Sequence, residues 1–97
     1  MTDSTPTAKW AEVFSALASE PRLKIVQLLA AGTVQCQEIL QRVELSQPAI
    51  SYHLAKLERA GVLVKERIGT RRCYRLNEEL GIVFDCLMKE DGSWNTQ

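Results

Sequence analysis

The chain has 97 residues, 45% of them hydrophobic, and its 12 basic and 12 acidic residues cancel to a formal charge of zero. That length makes one small domain with no room for a second core, and a fold of this size is often helped by oligomerisation. No apolar run is long enough to span a bilayer. Three widely spaced cysteines, Cys36, Cys73 and Cys86, fit neither a secreted disulfide framework nor a CxxC zinc pattern, so they read as reduced thiols.

The polar start, Met1-Thr2-Asp3-Ser4-Thr5-Pro6, lacks the basic and apolar regions of a signal peptide, and the expected location is cytoplasmic. Residues 1–6 read as a flexible N-terminus, residues 7–90 as the folded domain and residues 91–97 as a flexible tail. From residue 7 to residue 18, Trp10, Val13, Phe14 and Leu17 recur at the spacing of an amphipathic helix. Ser19 caps a second helix over residues 21–31, where Leu23, Ile25, Val26, Leu28 and Leu29 leave few polar positions, so this helix belongs in the centre. Gly32 ends it. A very short strand at Thr33-Val34 leads to a third helix over residues 36–43, with Ile39, Leu40 and Val43 facing inward.

After the turn at Glu44-Leu45 comes the most informative stretch. Ser46 is a good N-cap, and Pro48 stands where a missing N–H costs little. Leu45 and Ile50 occupy the N′ and N4 positions of a hydrophobic staple. Ile50, Leu54 and Leu57 then form one apolar stripe, which leaves Pro48, Ser51, Tyr52, Ala55 and Arg59 on the outward face and Gln47 near its border in the first turn. Small, hydrogen-bonding and basic side chains on one face can approach base edges closely; an ordinary solvated helix face has the same appearance. His53, the chain's one histidine, lies between the stripe and the outward face, where a packing or phosphate-contacting role fits better than a metal ligand.

Gly61 closes this helix. Residues 62–67 and 71–76 are strand-like and joined by Ile68-Gly69-Thr70, where the glycine can take positive φ, so a β-hairpin wing comes directly after the helix. From His53 to Arg75 there are seven basic residues (Lys56, Arg59, Lys65, Arg67, Arg71, Arg72, Arg75) against Glu58 and Glu66; the rest of the chain keeps five basic and ten acidic ones. Charge is therefore segregated, which suits an oriented footprint for phosphates. Arginines at a hairpin tip fit the minor groove, or else protect an exposed strand edge from aggregation. Asn77 caps a last helix whose stripe is Leu80, Val83, Phe84, Leu87 and Met88, while Ile82 and Cys86 form a second apolar strip. With Trp10 and Phe14 at the other end of the chain, that strip points to a symmetric homodimer through the terminal helices; intramolecular packing is the alternative.

The fold class these readings give is mainly α with a small β-hairpin, a winged helix-turn-helix of about five helices. The order of elements, together with Ala16-Leu17-Ala18-Ser19-Glu20-Pro21-Arg22-Leu23, the segment from Leu45 to Leu54, and Gly61-Val62-Leu63 followed by the Tyr74-containing strand, resembles the ArsR family of bacterial winged helix-turn-helix repressors. The likeness runs from about Trp10 to Met88. It implies a homodimer that binds an inverted repeat of double-stranded DNA in its own promoter region and leaves when an inducer arrives. On that likeness, together with the outward face and the basic hairpin, the candidate DNA-binding residues are Ser46, Gln47, Pro48, Ser51, Tyr52, His53 and Lys56 on the helix and Arg67, Arg71 and Arg72 on the wing. The candidate dimer interface is Trp10, Phe14, Ile82 and Cys86.

The sensing site departs from the family pattern. Where many members carry a Cys-x-Cys metal motif, this chain has Gln35 and Gln37 with Cys36 between them, and its last helix offers Asp85 but no histidine for the family's other zinc site. No metal and no cofactor is expected, and the inducer is unknown. Cys36, Cys73 and Cys86 are possible sensing thiols, or simply small half-buried hydrophobes. A winged-helix module that docks an acidic protein, and a constitutive autorepressor with no inducer site, remain as alternatives. An enzyme built on Cys36 and His53 is not expected, because no oxyanion loop, phosphate cradle or paired carboxylates accompany them.

Overall fold

The computed structural model describes residues 6–30, 32 and 34–87, without the side chains of Val34, Cys36, Cys86 and Leu87. Five helices and a three-stranded sheet succeed one another as α1 (Pro6–Leu17), α2 (Glu20–Leu29), β1 (Val34–Gln35), α3 (Cys36–Arg42), α4 (Gln47–Arg59), β2 (Leu63–Ile68), β3 (Arg71–Leu76), a 3₁₀ turn (Glu78–Leu80) and α5 (Gly81–Leu87). Thr33, Met88 and the proposed tail at 91–97 lie outside the described residues.

Local chemistry accounts for the boundaries. Ser19 Oγ accepts from the Arg22 N–H at 3.4 Å, and Ser46 Oγ accepts from the Ala49 N–H at 3.3 Å, each satisfying a donor that the first helical turn leaves unpaired. Gly61 stands just past α4 with φ of 84° and Gly69 turns the hairpin with φ of 66°, both in the region that a Cβ disfavours. Because Thr70, like every described non-glycine residue, has negative φ, the two-residue turn Gly69-Thr70 has the pattern of a type II′ hairpin, whose twist matches the flanking strands.

The sheet runs β1-β3-β2, all antiparallel. The register of the first wing strand differs by one residue from the expected 62–67. Val62 closes the end of α4, its N–H donating to Leu57 O and its carbonyl accepting from the Asn77 N–H, so the ladder begins at Leu63. The short strand is also displaced, to Val34–Gln35, and pairs Gln35 with Cys73. Asn77 is an N-cap, as expected, but of a 3₁₀ turn: its side-chain oxygen accepts from Glu79 N–H while its Nδ2 donates to Gly61 O, tying that turn to the end of α4.

One core joins these elements. Ile25, Val26, Ile39, Ile50, Leu57 and Val62 are at most 1% exposed, with Leu17, Leu54, Leu63, Tyr74 and Phe84 around them. Burying each such aliphatic side chain is worth about 1.5–3 kcal/mol, so the stripe Ile50–Leu54–Leu57 fixes α4 on the core and decides which face is left to solvent.

Candidate nucleic-acid interface

With its apolar stripe inward, α4 presents Gln47, Pro48, Ser51, Tyr52, Ala55, Lys56 and Arg59 at the surface, Tyr52 being 56% exposed. Thirteen residues at 1.5 Å each make a rod about 20 Å long, able to lie along a major groove. Ser46 is exposed at its N-cap, so the helix starts at the surface and not inside the core. Lys56 Nζ stands 5.8 Å from the Tyr52 ring centroid, a cation–π contact that brings a charge beside the phenol.

His53 differs from its neighbours on this face. It is half-buried, and its Nδ1 lies 3.1 Å from Arg22 Nη1. A guanidinium only donates, so Nδ1 accepts and the ring proton sits on Nε2. Burial first, and the Arg22 charge second, hold His53 below its usual value of 6.5, which keeps it neutral at physiological pH. Arg22 Nε also donates to Ala16 O at the end of α1, so one guanidinium connects α1, α2 and α4. Sequence reasoning passed over Arg22. The available signal was weak: Arg22 directly follows Pro21 in the first turn of a helix that also carries Glu20 and Lys24.

The wing divides its charges between two faces. On one, Arg75 Nε pairs with Glu66 Oε1 at 3.1 Å, so this arginine is neutralised. On the other, Lys65, Arg67 and Arg72 lie together, and Arg67 is directly opposite Arg72 in the register. Like charges so placed repel each other, and among the described residues neither has an acidic partner within 4 Å. Arg71 is exposed across from Ile68 near the tip, and Ile68 is itself 54% exposed. Chemically, such a surface can accept an anion supplied from outside.

The groups expected to sense lie elsewhere. Cys73 is buried at 5% exposure, and Gln35, the residue before Cys36, is its register partner on β1. Gln35 and Gln37 offer neutral amides where soft metals need thiolates, so these residues do not fit such an ion. Among the described residues no group of three His, Cys, Asp or Glu side chains is placed to hold a metal. Likewise, no described helix is long and apolar enough to cross a membrane.

Residues 19–65 match the bacterial regulatory protein, arsR family. The arsenical resistance operon repressor of Bacillus subtilis is 35% identical over 79 residues, which cover 80% of this chain and 75% of the relative. The chain belongs to the ArsR family. The arsenic resistance transcriptional regulator ArsR1 of Pseudomonas putida is 40% identical over 78 residues, covering 79% of this chain and 61% of the regulator, so the match spans about three fifths of that protein's length. Among solved structures, the homodimeric winged helix-turn-helix DNA-binding domain from Mycobacterium bovis, determined by NMR, superposes with a TM-score of 0.80 at 26% identity, covering 97% of this chain and 93% of that one. In this ArsR-family chain, α3 and α4 are thus the helix-turn-helix and β2–β3 the wing.

Proposed function

We propose that this chain is a sequence-specific repressor that binds an inverted repeat in its own promoter region as a homodimer and leaves it when an inducer arrives. The observation that carries the reading is the shared exposure of one polar helix face and one unpaired cationic wing face on a winged helix-turn-helix frame. Gln47 and Ser51 read base edges, Pro48 and Tyr52 contact bases or sugar, and Ser46, Lys56, Arg67, Arg71 and Arg72 take phosphates and the flanking minor groove. His53, neutral and held by Arg22, contributes an Nε2–H donor at the border of the face.

The dimer is supported by Phe14, 54% exposed and stacked on Trp10 with ring centroids 5.7 Å apart, and by Ile82 on α5, 82% exposed. Cys86 stands on α5 one turn beyond Ile82. Two copies joined by these helices would set two α4 helices on half-sites about one helical turn apart. A thiol-reactive inducer is the finer part of the reading. The Gln35–Cys73 register sets Cys36 one residue beyond Cys73's partner, and mass spectrometry after oxidation would reveal a Cys36–Cys73 link; unchanged DNA binding without that link would remove the switch.

Fluorescence anisotropy under reductant, at two salt concentrations, tests the core proposal against duplex from upstream of the gene and a scrambled duplex. The native duplex is expected to be preferred, and Gln47→Ala/Ser51→Ala to lose that preference. Equal, strongly salt-dependent binding to both would leave only phosphate contacts, and no binding would favour docking to an acidic protein.

A further inference from the structure

Between α1 and α4 lies a surface hollow of about 200 Å³, lined by Glu12, Ser15 and Ala16 on the α1 side and by Lys56 and Arg59 on the α4 side, with Arg22 entering from α2, so that three cations face one carboxylate. Three cations thus share a space below the usual size of a drug-like pocket. Among the described residues none of the three has an acid within ion-pairing distance. Lys56 and Arg59 alone could be explained as cations at the C-terminus of a helix, where they oppose its dipole. That role does not require Arg22, which reaches the same place from another helix. Arg22 commits its Nε–H to Ala16 O and one Nη1–H to His53, and three of its five N–H donors remain. Lys56 also lies over Tyr52, so one lining residue of the hollow is shared with the outward face of α4.

We propose that this hollow is a phosphate seat, in which Arg22, Lys56 and Arg59 converge on one tetrahedral oxyanion, carried either by the DNA backbone or by a free phosphate. Charge-assisted donors from three side chains suit three oxygens, and the Ser15 hydroxyl can supply a fourth contact. In its DNA form the seat rests on the proposed function, and it extends the footprint from the recognition helix to α2. As an oxyanion site it stands without that reading.

Amide NMR titration of the whole chain with sodium phosphate, against sodium chloride at matched ionic strength, tests it without DNA. Phosphate is expected to produce saturable shifts at Ser15, Ala16, Arg22 and Arg59 that chloride does not. Arg59→Gln, at an exposed position, is expected to weaken them about tenfold, the scale of one charge-assisted contact. Ser15→Asp, which sets a carboxylate at the hollow, is expected to do the same. Absence of phosphate-specific shifts there, or equal shifts in folded Arg59→Gln, would overturn the seat. The salt dependence of binding to scrambled duplex then names the source: a slope lower by about one in Arg59→Gln assigns a backbone phosphate, and an unchanged slope assigns the free anion.

Discussion

His53 shows how one side chain can serve the frame and the surface together. Its ring accepts from Arg22 on the inner side and packs edge-on against Tyr52, with centroids 5.4 Å apart, on the outer side. Protonation would place a second cation against the guanidinium. Since the folded chain holds His53 below 6.5, the unfolded chain takes up the proton first as pH falls, and stability drops from about pH 6.5 downward until the folded form is also protonated. Thermal melts between pH 7.5 and 5.5 are expected to show that decline in the wild-type chain and a flatter profile in His53→Gln; equal slopes would remove His53 as the cause. The spacing of the apolar stripe left His53 at a border, and its sequence position carried no sign of the arginine 31 residues earlier that fixes its tautomer.

At the scale of elements, the proposed function has the wing exchange stability for affinity. Relieving the Arg67–Arg72 opposition by Arg72→Thr is expected to raise stability by about 0.2–1 kcal/mol in urea unfolding, and to weaken DNA binding with a salt slope lower by about one. Helix α4 was legible from the chain alone because its signals agree: Ser46 caps, Pro48 stands in the first turn, and Ile50, Leu54 and Leu57 are all buried where the period places them. The hairpin was legible to within a residue, since Gly69 identifies the turn but nothing local tells that Val62 closes the helix and not the ladder. Arg75 counted in sequence as part of the basic surplus; its neutralisation by Glu66 depends on register, a property of two strands together. The hollow between α1 and α4 was illegible for the same reason, because its cations come from two helices far apart in sequence.

On the scale of the whole molecule, Phe14 and Ile82 are, among the described residues, the large apolar side chains of the two terminal helices that stand more than half exposed in a single chain. Ile82→Lys is expected to convert a dimer to monomer in sedimentation velocity and to lower affinity for a two-half-site duplex, with little change in the melting of the monomer, as its side chain makes no part of the core. A variant that stays dimeric would move the interface elsewhere. Asn77 gives this geometry a mechanical meaning. One amide holds the Gly61 carbonyl at the exit of α4 and caps the turn that leads into α5, while its own N–H grips Val62 at the root of the wing. Reading head, wing and terminal helix therefore share a single pivot pin. In the proposed dimer clasped through α5, any change in the angle of the clasp would be levered directly onto the distance between the two α4 helices, and half-site spacing would become the quantity that the proposed inducer has to spoil.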